Sequence, residues 1–182
     1  MRASRGSVII FLLAGCQTGS PPPDPELVEP GTFAQWPSVT DAPIPVSTRA
    51  WLLCRHPTPE EAQEQEAATK AHGPHAGHTI VVRVSPEAVA SFRDGKPLPT
   101  GAIVVKEKHF GTLGTGPVEE YALMIKRQPG YNPAGGDWEY AYVTHSPGRK
   151  VDRGRIETCA DCHSRVKDRD YLFHTYLRAK KE

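Results

Sequence analysis

The sequence predicts an α+β protein, built mostly from an antiparallel β-sheet with short helices and a helical segment at its C-terminal end. Segments rich in β-branched residues recur through the middle of the chain, as strands do. Glycine- and proline-rich turns of hairpin length separate them, which favours antiparallel pairing of neighbours. Short helical patterns with capping signals complete a layout in which helices lie against a face or an end of the sheet.

The predicted elements follow in chain order. Thr58 and Pro59 supply an N-cap and a proline at the first helical position, so they open a polar helix that ends near Gly73. A serine-proline pair after the first strand opens a second short helix, which runs through Phe92. The predicted strands are residues 79–84, 101–110, 119–128 and 137–145, and the chain is predicted to be helical from Thr158 onward.

Residues 1–15 predict a signal peptide, because a basic start is followed by an apolar run too short to span a bilayer. The run ends in Leu-Ala-Gly-Cys, which resembles the bacterial lipobox, where cleavage precedes the cysteine and the cysteine carries acyl chains. We therefore predict that Cys16 is the lipidated N-terminus of the mature protein. A plain secretory peptide with an incidental cysteine is the alternative. Gln17 favours the inner leaflet of the outer membrane over the inner membrane, with the folded domain in the periplasm.

The mature chain divides into two predicted parts. Residues 16–46 comprise the lipidated cysteine and a proline-rich stretch with few periodic apolar residues, which predicts an extended tether. Phe33 and Trp36 within it are candidates for docking on the domain. Residues 47–182 are long enough to bury a single core and form the predicted folded domain.

The charge balance gives no indication of a nucleic-acid partner. The 182-residue chain carries 22 Lys and Arg against 21 Asp and Glu, and two of the basic residues lie in the signal peptide. No basic stripe remains on the mature chain, so nucleic-acid binding is excluded and contact with a membrane is predicted only through the lipid anchor. One cysteine, Cys54, has no role in these predictions, and it is either buried or paired between molecules.

Cys159, Cys162 and His163 have the C-x-x-C-H spacing. This spacing lets two thiols form thioethers with the two vinyl groups of one haem, while the adjacent histidine binds the iron. We therefore predict one covalent haem c with His163 as its metal ligand. A zinc ribbon would need a second ligand pair, and the only other cysteine-histidine pairing, Cys54 with His56, is one residue too tight. A thioredoxin-type dithiol would need a βαβ context that the chain does not show.

Several motifs occur in a fixed order and end at the haem site. They are residues 80–86, 101–107 and 136–140, then 159–163 together with 170–173. In this order they resemble the signature of cytochrome P-460 and the related cytochrome c′-beta, over most of residues 79–177. The resemblance implies a periplasmic, largely β-sheet, dimeric protein with one high-spin c-type haem. Members of that family oxidise hydroxylamine or bind small gases such as nitric oxide.

The resemblance also implies a role for Lys106. In cytochrome P-460 a strand lysine in a V-K-E context is joined covalently to the haem edge, and Lys106 stands where that lysine is expected. The alternative is that Lys106 and Lys108 lie on the solvent side of an alternating strand. Oxidation of hydroxylamine also needs a general base, for which Glu157, just before the motif, is the candidate. Its alternative is a solvated loop residue.

The chemistry depends on whether the sixth position of the iron is open. An iron bound only by His163 can take a small nitrogen ligand, whereas two strong protein ligands favour electron transfer alone. Candidate sixth ligands are Met124, His145 and His174. Their alternative is core packing or a surface position. The further histidines His72, His75 and His78 lie among glycine and proline, which favours a loop over a second metal site, although His78 could line the haem pocket.

Two function hypotheses therefore remain open. The first is an enzyme that oxidises hydroxylamine and passes electrons to a redox partner cytochrome in the periplasm. The second is a haem protein without catalytic activity, resembling cytochrome c′-beta, that binds nitric oxide or carries electrons. The resemblance implies a homodimer in both cases.

Overall fold

The computed structural model describes residues 24–40, 42–46, 59–60, 63, 66–67, 70, 78–109, 116–145 and 148–174. Within these residues the main element is a six-stranded sheet, in which each strand pairs antiparallel with the next along the chain. The strands are β1 (Ile44–Val46), β2 (His78–Val84), β3 (Ile103–His109), β4 (Val118–Lys126), β5 (Trp138–Thr144) and β6 (Lys150–Gly154). The prediction of an α+β protein with a mostly antiparallel sheet is confirmed.

The described helices are short. The α-helices are α1 (Val89–Arg93) and α2 (Glu157–Ser164), and 3₁₀ turns are present at Pro25–Leu27, Pro86–Ala88, Pro133–Gly135 and Lys167–Arg169. The described residues of the predicted first helix, between 59 and 70, are also helical. Among the described residues, no helix has the length and apolar character needed to cross a bilayer.

The C-terminal part differs from the continuous helix that the sequence predicted from Thr158. The α-helix ends at Ser164, and after a 3₁₀ turn the backbone takes left-handed conformations at Asp170 and Tyr171, with φ of 54° and 62°. A helix cannot continue through such residues, because the left-handed region does not propagate as a helix of L-residues. The haem motif therefore lies on a short helix that is followed by a turn.

Strands β2 to β5 occupy the four segments where strands were predicted, whereas β1 and β6 were not predicted. Both lie at the edges of the sheet. β1 contains Pro45, and β6 is the polar sequence Lys-Val-Asp-Arg-Gly. Proline and charged residues are common on edge strands, because one side of an edge strand needs no pairing and charge discourages further pairing. β1 has only three residues and β6 is polar, so neither carries an apolar or alternating run long enough to be predicted from the sequence.

The sheet has two faces, because side chains alternate along each strand. One face packs against α1 and α2, and we call it the helix face. Its strand residues, in register, are Val84, Val104, Met124 and Tyr140 in one row and Val82, Lys106, Ala122 and Tyr142 in the next. The opposite face, which we call the strap face, carries residues such as Val105, Tyr121, Leu123 and Val143.

The N-terminal segment 24–36, here called the strap, covers the strap face. Val28 and Phe33 are fully buried, and the Phe33 ring meets the Tyr121 ring edge-on at 5.3 Å between centroids. The guanidinium of Arg153 contacts the Asp24 carboxylate at 3.0 Å. Within the stretch 16–46 that the composition predicted as a tether, Phe33 and the partly buried Trp36 dock on the sheet as expected, and β1 pairs with its edge. Isolated apolar residues between the prolines suffice for this packing, although they form no periodic pattern.

Candidate haem site

Helix α2 carries the three residues of the C-x-x-C-H motif. The thiols of Cys159 and Cys162 are free and half-buried, and His163 is buried. Cys159 packs against the apolar cluster of the helix face. Burial raises the pKa of the Cys159 thiol above its ordinary value. Cys159 and His163 therefore turn their side chains from α2 toward the sheet rather than toward the outer surface.

The imidazole of His163 is oriented by the backbone. Its Nδ1 lies 2.7 Å from the carbonyl oxygen of Tyr171, so the N–H at this position donates to that oxygen and Nε2 keeps its lone pair. The ring packs between Tyr140 and Phe173, at centroid distances of 5.6 and 5.1 Å. Burial lowers the pKa of His163 to about 4, so the ring is neutral at ordinary pH. A neutral imidazole with one nitrogen fixed is the form that binds a metal.

The turn that presents the Tyr171 carbonyl is held by Asp170. The Asp170 carboxylate accepts hydrogen bonds from the backbone N–H of Leu98 at 2.8 Å and from the Lys126 ammonium at 2.5 Å. The indole N–H of Trp138 donates to the Asp170 carbonyl at 2.9 Å. These contacts join two strands and a loop to a turn with two left-handed non-glycine residues. Such strain persists only where the surroundings fix it, and it is concentrated at functional sites.

The loop between β4 and β5 secures the same turn from the other side. The Tyr171 hydroxyl donates to the carbonyl of Ala134 at 2.8 Å. Its ring lies so close to Gly136 that a Cβ built there would be 2.5 Å from a ring carbon, and Gly136 also has φ of 64°. Glycine is therefore required at this position both for its conformation and for the close approach of the ring.

Lys106 lies on the helix face, and its Nζ is 5.9 Å from the centroid of the Phe173 ring. Burial lowers the pKa of Lys106 to about 8, against the opposing effect of the two cysteine sulfurs. Lys108, two residues along the same face, is fully buried. The face that carries the two lysines is thus not the solvent side of the sheet, which was the alternative for Lys106. An amine with this pKa has a substantial neutral fraction near pH 8.

Tyr140 supplies a test of whether these residues fit a haem. Its hydroxyl is buried and has no hydrogen-bond partner, which is rare for a buried polar group. Burial raises the pKa of Tyr140, and the nearby thiols of Cys159 and Cys162 add to this. Two free thiols and an imidazole with an available nitrogen are the donor set that a c-type haem needs, and the unpaired hydroxyl lies beside them. The residues therefore fit that group.

The remaining candidates are distributed over the molecule. Glu157 is exposed in the first turn of α2. Met124 is buried among apolar residues of the helix face. His145 meets the ring of Tyr121, on the strap face, at 5.9 Å, and His174 packs on Phe92 at 4.7 Å. The structure brings together Cys159, Cys162, His163 and Lys106.

Several predictions lie outside the described residues. They concern Cys16, Cys54, His72 and His75. His78 is described only as backbone of β2. Within the described part of the chain, no group of three or more His, Cys, Asp or Glu side chains is arranged to hold a metal ion by itself.

Three further polar groups near the motif were not predicted from the sequence. They are the Tyr171 carbonyl, the Tyr140 hydroxyl and a contact of Lys108 with Glu120 and Tyr142. Alternation along β3 and β5 could have placed Lys106 with Lys108, and Tyr140 with Tyr142, on common faces. The pairing between strands, which brings Glu120 to Lys108, depends on register and leaves no local signal.

No curated protein matches the sequence. The family model described as Cytochrome P460 matches residues 56–174, which is well over half of the chain and includes β2 to β6, α1 and α2. The matched span contains the C-x-x-C-H helix, Lys106 and the turn that orients His163. The chain therefore belongs to the cytochrome P460 family, as the ordered motifs predicted, and is a c-type haem protein.

Proposed function

We propose that the protein carries one haem bound covalently through Cys159 and Cys162, with His163 as the only protein ligand of the iron. The observation that carries this proposal is the hydrogen bond from His163 Nδ1 to the Tyr171 carbonyl. It leaves Nε2 as the ligating nitrogen, next to two free thiols on the same helix. Met124 packs among apolar residues, His145 lies against Tyr121 of the strap face, and His174 packs on Phe92, which supports an open sixth position.

The haem would supply an iron that changes oxidation state and binds small nitrogen-containing molecules such as hydroxylamine or nitric oxide. Attachment, orientation of the ligand histidine and exclusion of water come from residues of this chain. Cys159 and Cys162 hold the group in place, the Tyr171 carbonyl fixes the ring of His163, and the apolar row of the helix face excludes water from that side. Electrons would pass to a redox partner cytochrome in the periplasm.

The enzyme hypothesis includes a covalent bond between Lys106 and the haem edge. The position of Lys106 near the two thiols and its lowered pKa support it, because the nitrogen that bonds to the haem edge must be a neutral amine. Replacing a C–H bond of that edge with a C–N bond would also release two protons and two electrons, and the electrons would have to pass to an oxidant such as the redox partner. A base would also have to accept protons from hydroxylamine. Glu157 is exposed, so Glu120 on the helix face is the better-placed carboxylate.

One observation favours the alternative without catalytic activity. Ala122 stands directly opposite Lys106 in the register of β3 and β4, and it has no ionisable group. The Glu120 carboxylate already accepts hydrogen bonds from Lys108 and Tyr142. Binding of nitric oxide, or electron transfer, needs no such base.

We also propose that Cys16 is lipidated and that the folded domain lies in the periplasm as a homodimer. The lipobox-like sequence supports the first part, and the resemblance to the family supports the second. A Cys16→Ala variant is then expected in the soluble periplasmic fraction, and unchanged membrane fractionation would contradict the anchor.

A spectrum of the denatured protein in alkaline pyridine tests the haem and separates the two hypotheses. An ordinary haem c spectrum is expected if Lys106 is unmodified, and a red-shifted one if it is cross-linked. The control is the variant with Cys159→Ser and Cys162→Ser, which should show no haem on a denaturing gel because both thioethers are missing. Haem that stays covalently bound in this variant would refute the attachment proposed here.

A further inference from the structure

Three residues next to the turn after α2 contact one another in a closed set, which we call the Lys126 triad. Lys126 is the last residue of β4, Trp138 is the first residue of β5, and the two are register partners. The Lys126 ammonium pairs with the Asp170 carboxylate at 2.5 Å and lies 4.7 Å from the centroid of the Trp138 ring. The indole N–H of Trp138 donates to the Asp170 carbonyl at 2.9 Å. Asp170 is thus held through its side chain and its backbone by the same two strands.

The backbone conformation of Asp170 explains why the turn needs these anchors. Asp170 and Tyr171 are consecutive non-glycine residues with positive φ. The left-handed conformation is costly for a residue with a Cβ, so it persists only where the surroundings support it. The Asp170 carboxylate also accepts the backbone N–H of Leu98 at 2.8 Å, which adds a further attachment. These contacts therefore determine the path of the backbone at this point.

The peptide unit between Asp170 and Tyr171 is fixed at both of its polar atoms. Its carbonyl oxygen accepts from Trp138, and its N–H donates to the Val166 carbonyl at 3.1 Å. Because a peptide unit is planar, these two bonds set its orientation and the position of the Tyr171 Cα atom. Loss of the contacts that Lys126 and Trp138 make with Asp170 would let this unit rotate.

The next peptide unit, between Tyr171 and Leu172, contacts the proposed iron ligand. Its N–H donates to the Arg169 carbonyl at 3.1 Å, and its carbonyl accepts from His163 Nδ1 at 2.7 Å. Only the two backbone dihedrals of Tyr171 separate this unit from the one that the triad holds. A well-aligned hydrogen bond at Nδ1 raises the basicity of the imidazole as a metal ligand. The triad can therefore act on the donor strength of His163 through the backbone.

We propose that Lys126, Trp138 and Asp170 are positioning residues for the iron ligand and set the strength of the proximal bond. They hold the turn so that the Tyr171 carbonyl points at His163 Nδ1, and Lys126 acts through Asp170 without touching the imidazole. This inference rests on the proposed function, because it needs a haem iron bound by His163.

The reduction potential of the holoprotein tests the proposal. The key variant combines Lys126→Met with Asp170→Asn, which leaves the net charge unchanged and no charge without a partner. Asparagine also tolerates the left-handed conformation, so the backbone strain is not increased. We expect the ratio of ferrous to ferric protein at a fixed potential to rise about threefold, equivalent to a potential higher by about 28 mV. The reason is that a less basic imidazole stabilises ferric iron less.

A second measurement reports on the proximal bond itself. In the resonance Raman spectrum of the ferrous holoprotein, the iron–histidine stretching band of the double variant should move to lower frequency. Trp138→Phe, which keeps the ring but removes the N–H, should move the potential in the same direction by less. Arginine can pair with a carboxylate and stack on an indole, so Lys126→Arg should keep most of the wild-type potential.

The matched control removes an ion pair from the strap face. It combines Arg83→Met with Glu107→Gln, which also leaves the net charge unchanged. These two side chains are 20% and 3% exposed, against 14% and 10% for Lys126 and Asp170, so the two ion pairs are similarly buried. The control should lose stability in urea but keep the wild-type potential and Raman band.

Each other outcome has a defined meaning. An unchanged potential and Raman band in the Lys126 and Asp170 double variant, with covalent haem present, overturns the inference and leaves the proposed function intact. An equal shift in the strap-face control also overturns it, because general loosening of the fold would then suffice. If the double variant does not accumulate with haem, an unchanged potential in Trp138→Phe overturns the inference. Wild-type protein without covalent haem on a denaturing gel would overturn the proposed function, and the inference with it.

Discussion

The two faces of the sheet use charged residues in opposite ways. On the strap face, arginines neutralise the buried carboxylates: Arg83 pairs with Glu107 at 2.8 Å, and Arg153 with Glu139 at 3.1 Å. On the helix face, the basic residues near the two thiols are the half-buried Lys106 and the buried Lys108, and desolvation lowers the pKa of both. Arginine stays charged in proteins, whereas lysine changes its protonation state when it is buried.

This difference indicates that the strap face stabilises the fold, whereas the helix face carries the groups of the haem site. The strap face holds the chain's own N-terminal segment through groups of constant charge. The helix face keeps groups that can change state or accept a new partner, namely Lys106, the Tyr140 hydroxyl and the Nε2 of His163. Substitutions on the strap face should therefore change stability alone, while those around the helix face should also change the haem spectrum.

The largest effect is expected from Phe33→Ala on the strap face. Phe33 is fully buried against Tyr121, so its removal leaves a cavity and should lower the free energy of unfolding by about 3–5 kcal/mol. The absorption spectrum of the haem should not change. Urea denaturation followed by circular dichroism measures the free energy of unfolding. Leu27→Ala is the control, because Leu27 is 76% exposed. A changed haem absorption spectrum in Phe33→Ala would show that the two faces do not act separately.

A smaller but more informative effect is expected from Gly136→Ala. The new Cβ would meet the Tyr171 ring at 2.5 Å in a left-handed conformation, so we expect a loss of about 2 kcal/mol in stability. Displacement of Tyr171 should also shift the haem spectrum, because its carbonyl orients His163. The matched control is Gly130→Ala, which has a φ of +95° but no atom within 4 Å of the new Cβ. Identical behaviour of the two variants would show that the contact with Tyr171 does not matter.

The smallest effect concerns alkaline pH and Tyr121. Burial raises the pKa of Tyr121 above 10, so the folded state keeps its proton where the unfolded state loses it. The contribution of Tyr121 to the free energy of unfolding is therefore complete below pH 10, and it is lost as the pH rises through the folded-state pKa. The free energy of unfolding falls by no more than about 1.4 kcal/mol per pH unit from this one group. Urea denaturation between pH 9 and about pH 11, with Tyr121→Phe as comparison, measures this. Parallel stability curves for the two proteins would argue against the assignment.

The fold and the site differed in how much of each the sequence could predict. Strands β2 to β5 were predicted because each is a run of apolar or alternating residues, and the haem motif because its three residues are adjacent in sequence. The end of α2 was not predictable, because it depends on the left-handed Asp170 and Tyr171, which only long-range contacts such as Asp170 with Lys126 maintain. The contact of Lys108 with Glu120 and Tyr142 depends on strand register in the same way.

The contact between His163 and the Tyr171 carbonyl also has a consequence for redox tuning. A carbonyl has no formal charge, so it polarises the imidazole less than a carboxylate would and leaves the ring without imidazolate character. Proximal basicity is one of the means by which a protein sets the reduction potential of a haem. Here its partner is a backbone atom that does not titrate and that no side-chain substitution at position 171 removes. For the proposed haem, the proximal contribution to the potential is thus independent of pH and is determined by the geometry of the turn.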